Sequence, residues 1–101
     1  MQLEHIGFAR NRWHQLYVDH SRDFASVAAA LDIAQLHGIR TRLFNFPRCT
    51  SPEHYRHLAA ASISDWKRKY ARACDRCREQ NACTGFFAWH PDDALNEVRP
   101  L

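Results

Sequence analysis

The sequence predicts an α/β protein: a small βαβ-like unit over residues 1–48, then a mostly helical, Cys-rich region over residues 49–101 packed on it, within a single domain. Three observations carry this. An alanine-rich amphipathic stretch runs into a glycine and then an alternating apolar–polar run. The apolar fraction of 46%, with 12% aromatic residues and only three glycines and four prolines, is globular rather than disordered or low-complexity. All four cysteines fall at residue 49 or later. At 101 residues the chain is one domain, which buries roughly 60–70% of its unfolded surface and so has a modest core.

Taken in order, Ile6-Gly7-Phe8-Ala9 is a short apolar run that reads as a buried strand, turned by Arg10-Asn11-Arg12. Trp13 to Val18 reads as a helical turn leading into a short strand, ended by Asp19-His20-Ser21. Residues 22–37 form the clearest helix. Phe24, Val27, Ala28, Leu31, Ala34 (or Ile33) and Leu36 approach a 3.6-residue stripe, Ser21 is the expected N-cap and Gly38 the left-handed C-terminal cap. Residues 39–46 alternate apolar and polar until Pro47, a strand signal. Helix, glycine and strand, with a strand before the helix, would make a parallel pair with the helix across it. Cys49 then arrives at the C-terminal end of that strand. Thr50-Ser51-Pro52-Glu53 starts a helix to about Leu58, residues 59–63 are ambiguous, and Ser64 caps a short helix over residues 64–70 that ends near Cys74. From His90 to Leu101 the tail reads as irregular or one short edge strand. There are no internal repeats.

The chemistry lies in CDRCREQNACTGFF, residues 74–87. The cysteines are spaced Cys49, 24 residues, Cys74, two residues, Cys77, five residues, Cys83. Without a stretch of roughly 18 apolar residues, and without the charged and apolar regions of a signal peptide in MQLEHIGFAR, the expected compartment is the reducing cytoplasm. There, four cysteines read as metal ligands or redox groups rather than two disulfides. A Cys-x-x-Cys turn can point two thiolates at one metal or cluster. A zinc ribbon would pair that knuckle with a second one, whereas here the partners are the single Cys49 and Cys83. A cluster takes ligands from more dispersed positions than one tetrahedral ion does, so the spacing favours iron–sulfur, with zinc as the alternative. Between Arg40 and Arg78, ten Lys/Arg face three acids (Glu53, Asp65, Asp75), a field that favours thiolates and an anionic cluster.

FNFPRC, AAASISDWK, the Cys-x2-Cys-x5-Cys run and GFF resemble the C-terminal end of radical SAM maturases of the His-Xaa-Ser system, and GFAR with the helix after it resembles the end of their catalytic barrel. In SPASM or twitch extensions of the wider radical SAM group the same run is often followed by x3-Cys; here that position is Phe87. The resemblance implies that Cys49, Cys74, Cys77 and Cys83 ligate one auxiliary [4Fe-4S] cluster. The Cys-x3-Cys-x2-Cys signature that holds the SAM-cleaving cluster is absent from the 101 residues. The expectation is therefore a module that is not catalytic alone and works with another protein, either a radical SAM catalytic part or a peptide substrate.

Competing readings attach to the other residues. His54 and His57 lie near Cys49 in sequence and could complete a Cys3His zinc site, though an exposed helical pair explains them as well. His5, His14, His20, His37 and His90 show no ligand spacing and read as surface groups. Ser62-Ile63-Ser64-Asp65 has no matched histidine and is explained by capping. Trp66, Tyr70, Phe86, Phe87 and Trp89 read as core, with Phe86, Phe87 and Trp89 covering the metal site and excluding water from it. The basic stretch reads first as a solvated face, then as a docking face for an acidic partner; nucleic acid comes third and membrane contact is not expected.

Overall fold

In the computed structural model, which describes residues 3–101, two small sheets are built from strands distant in sequence, and one long helix packs on the first of them. The chain opens with two short helices, α1 (Gly7–Asn11) and α2 (Trp13–Leu16). The strand expected over Ile6 to Ala9 is therefore a helical turn. Its apolar residues stay outside, Ile6 being 50% and Phe8 69% exposed, so burial does not favour an extended form there. After α2 the chain extends through Tyr17 and Val18 without entering a sheet.

Helix α3 (Ala25–Leu36) is the long helix, three residues shorter at its start than the sequence implies. The Asp19 carboxylate explains this: it accepts both the backbone N–H and the hydroxyl of Ser21, so Ser21 closes a turn at Asp19 instead of capping the helix. At the other end Gly38 adopts φ +69° and the Ile39 N–H returns to the Ala34 carbonyl (2.9 Å), the glycine-terminated ending the sequence predicts. Phe24 and Leu31 are buried against Leu43, Phe46 and Ala59, with Val27, Ala28, Tyr55 and Leu58 around them. The apolar stripe is narrower than expected, since Ile33 and Leu36 are 60% and 82% exposed.

Strand β1 (Leu43–Phe44) pairs in parallel with β2 (Ala59–Ala60), Leu43 opposite Ala59. A parallel pair is thus present, but α3 precedes it. The crossover is instead the short helix α4 (Glu53–Arg56) and the turn before it. β1 is also shorter than the predicted strand, because Asn45 takes φ +63°, a left-handed conformation that Asn tolerates and that ends the pairing. Its N–H donates to Ser62 Oγ, which in turn donates to Asn45 Oδ1, both at 2.8 Å.

The second sheet overturns the helix expected over residues 64–70. Only one 3-10 turn forms, Asp65–Lys67, and the chain then enters β3 (Arg68–Lys69), antiparallel to β4 (Phe86–Phe87). Burying the Phe86-Phe87 pair on a strand outweighs the capping signal at Ser64. Trp66 is left 81% exposed instead of entering the core. Gly85, at φ +70°, brings the backbone so close to β3 that an added Cβ would lie 3.0 Å from the Lys69 carbonyl oxygen. The tail carries a short helix, α5 (Asp92–Leu95), in place of an irregular segment or edge strand.

Thr84 links the two sheets. It is 1% exposed, and its Oγ1 accepts the backbone N–H groups of Ser62 (3.0 Å) and Ile63 (2.8 Å). Thr84→Val keeps the shape and removes the acceptor, leaving two amides unpaired. The expected cost is about 2–4 kcal/mol, read as a lowered denaturant midpoint. A change within about 0.5 kcal/mol would show that neither bond contributes.

Candidate metal centre

Each cysteine is delivered by a tight turn. Pro47 ends the run after β1 and starts a 3-10 turn, Arg48–Thr50, that carries Cys49. The turn is held from outside: Arg56 donates to the carbonyls of Arg48 (3.3 Å) and Ser51 (3.2 Å), and Thr50 Oγ1 donates to that of Pro47 (2.7 Å). Cys74 lies within a second 3-10 turn, Arg72–Arg76, and the Cys77 N–H closes back onto the Cys74 carbonyl at 3.0 Å. A third, Gln80–Ala82, leads to Cys83. Arg48 bridges the first and third turns through Glu79 at 3.1 Å, in a pair only 21% and 34% exposed.

All four cysteines line one pocket, together with Pro47, Tyr70, Phe86, Val98 and Pro100. The space between them is small, about 10 Å³. Cys74 packs in a core cluster with Ala71 and Phe86, against which Cys49, Tyr70, Leu95 and Val98 also lie. Cys83 Sγ accepts two backbone N–H groups, Arg48 at 3.3 Å and Gly85 at 3.4 Å. All four thiols are free. Among the described residues, however, no three His, Cys, Asp or Glu side chains are grouped closely enough to hold one metal ion. A tetrahedral zinc with sulfur at about 2.3 Å needs its thiolates within about 4 Å of one another, so the arrangement is not a ready-made single-ion site.

The basic field does not lower the pKa of Cys49 or Cys74 as the sequence implied. Burial pushes Cys49 up to about 12, with the neighbouring Cys83, Cys74 and Cys77 adding to the shift, and burial also raises Cys74. Removal from water is the largest cause at both thiols. At neutral pH the two are protonated, so a metal must displace their protons on binding.

Several expected roles change. His54 and His57 are exposed on and after α4, and neither lines the cysteine pocket. Phe86 does line it, but Phe87 lies on the other side of β4 and stacks on Trp89 at 5.6 Å, so those two do not cover the thiols. Val98 and Pro100 close the pocket from the tail, whose Leu101 carbonyl accepts the Arg78 N–H at 2.9 Å. The sequence reading missed this. Pro91-Asp92-Asp93, a proline before two acids, is a helix-start signal that would have shown the tail to be ordered.

His90 is the largest correction among the histidines, being 2% exposed rather than a surface group. It lies among the rings of Trp13, Tyr17 and Phe86 at 5.6, 5.8 and 5.2 Å, and neither ring nitrogen has a partner among the described residues. Burial, followed by Lys69 and His5, lowers its pKa to about 4, while Asp93 and Asp19 oppose the shift. The folded state therefore holds neutral imidazole. Its contribution is complete above the unfolded value near 6.5 and is lost as pH falls from there through about 4, at a cost of about 3 kcal/mol. Urea midpoints measured across that window for the parent and His90→Phe should diverge, the variant losing less stability in acid; parallel curves would contradict the assignment.

Comparison with known proteins finds no family model, no curated protein and no solved structure that matches the chain. No helix among the described residues is long and apolar enough to cross a membrane.

Proposed function

We propose that the chain is an auxiliary [4Fe-4S] module of a radical SAM peptide-modifying system, with Cys49, Cys74, Cys77 and Cys83 as the ligands. The observation that carries this reading is the convergence of all four thiols, drawn from three separate turns, on one apolar-walled pocket. The preference for a cluster over zinc rests on the sequence spacing, a single Cys49 and Cys83 beside one Cys-x2-Cys turn. The two N–H donors to Cys83 Sγ suit a bound thiolate, whose charge they would stabilise, and hydrogen bonds to sulfur tune a cluster's potential. A cluster here supplies one-electron transfer or a fixed point for positioning a substrate. The chain's own part is to hold the thiolates, keep water out with Phe86, Val98 and Pro100, and fix the Cys49 turn through Arg48 and Arg56. With no Cys-x3-Cys-x2-Cys run in the sequence, radical generation falls to a partner protein, and the module is not catalytic alone.

Purification without oxygen tests the reading. A brown protein absorbing near about 400 nm, the region of sulfur-to-iron charge transfer, is the expected result. A colourless protein retaining one zinc per chain would replace it with the alternative, a zinc-stabilised binding domain that recruits protein or nucleic acid through its basic face.

A further inference from the structure

The outer face of the β1–β2 pair forms a groove of about 810 Å³ that no cysteine lines. Its lining combines Arg40, Arg42 and His57 with an apolar floor of Phe44, Ala60 and Ala82, and no acidic side chain contributes. Alternation along an extended segment puts Arg40, Arg42 and Phe44 on one side, opposite the buried Leu43. Arg40 and Arg42 are exposed and form no ion pair among the described residues, and Phe44 is 55% exposed. Arg48, also in the lining, is already paired with Glu79. The face therefore offers two free cations flanking an apolar floor, with no acidic side chain to neutralise them.

We propose that this groove binds an acidic peptide segment in extended form. Its carboxylates would pair with Arg40 and Arg42, and an apolar side chain would sit on Phe44 over the alanines. Charge complementarity selects the partner's sign, and the alanine floor selects its kind: a side chain of aliphatic size fits above methyl groups. Nucleic acid would instead call for several stacking rings, and the lining supplies only Phe44 and the His57 imidazole. The proposal does not depend on what the cysteines hold, because no cysteine lines the groove.

The test is fluorescence anisotropy with the full chain, its metal content measured in parallel, and a short labelled peptide in which glutamates flank one leucine. Binding that weakens as salt rises is expected, at least about tenfold weaker in R40E/R42E and also weakened in Phe44→Ala. Circular dichroism establishes that the variants remain folded. No binding by the parent, equal binding of a lysine-substituted peptide, or tighter binding of oligo-dT would each overturn the proposal. So would affinity unchanged in folded R40E/R42E.

Discussion

Cys77→Ser is expected to lose the bound group outright and to unfold at markedly lower denaturant than the parent. Cys77 is half-buried at the end of the turn that begins with Cys74, and its N–H already closes that turn. A metal bound by all four thiols would add attraction between segments distant in sequence: Cys49 on one side, and Cys74, Cys77 and Cys83 on the other. The core cluster directly behind them has three buried members, Ala71, Cys74 and Phe86, so losing a group held by the four thiols would be felt. In small metal domains binding free energy is folding free energy. Metal analysis and urea unfolding of Cys77→Ser beside the exposed control Arg76→Ser give the comparison. Full metal content in Cys77→Ser would remove Cys77 from the ligand set.

The second large effect is expected at a residue that touches no thiol in the pocket. Phe87 is 2% exposed, stacked on Trp89 and paired through β4 with Arg68. Truncation in Phe87→Ala leaves a cavity where the surrounding strands can close only partly, at about 3–5 kcal/mol. That is a large share of the roughly 5–15 kcal/mol that stabilises a domain of this size. Because Phe87 is absent from the pocket lining, the variant should retain the parent's metal content at temperatures where it stays folded. Thermal unfolding and metal analysis read the two effects separately. A loss of the centre from folded Phe87→Ala would show that the second sheet and the pocket are more tightly coupled than their lining residues imply.

The contrast between these positions shows what could be read from the sequence. The α3 helix and its glycine ending were legible because periodicity, propensity and a left-handed cap agree over a dozen residues. Cys spacing and the family resemblance together put Cys49 with the Cys-x2-Cys-x5-Cys run, and all four thiols line one pocket. Other features depended on interactions no local window contains. Ser21 looks like a cap until the Asp19 carboxylate takes its hydroxyl, and Ser64 looks like one until Phe86-Phe87 arrives to pair with Arg68-Lys69. His90 carries no local sign of burial, since the rings around it come from α2 and β4. Cys49 and Cys74 went the other way from the sequence argument for the same reason: counting arginines along the chain does not show which thiols the fold buries.

The sequence alternation that overstated β1 nevertheless placed Arg40, Arg42 and Phe44 on one face, and that face is the groove proposed to take an acidic segment. Groove and cysteine pocket share Arg48, whose backbone N–H reaches Cys83 and whose guanidinium reaches Glu79. A segment held in the groove would therefore lie beside the turn that carries Cys49.

Iron and acid-labile sulfide counted per chain, after reconstitution without oxygen, test the central claim most directly. The account predicts about four of each, bound by four cysteines. One zinc per chain with no sulfide, or no retained metal at all, would contradict it.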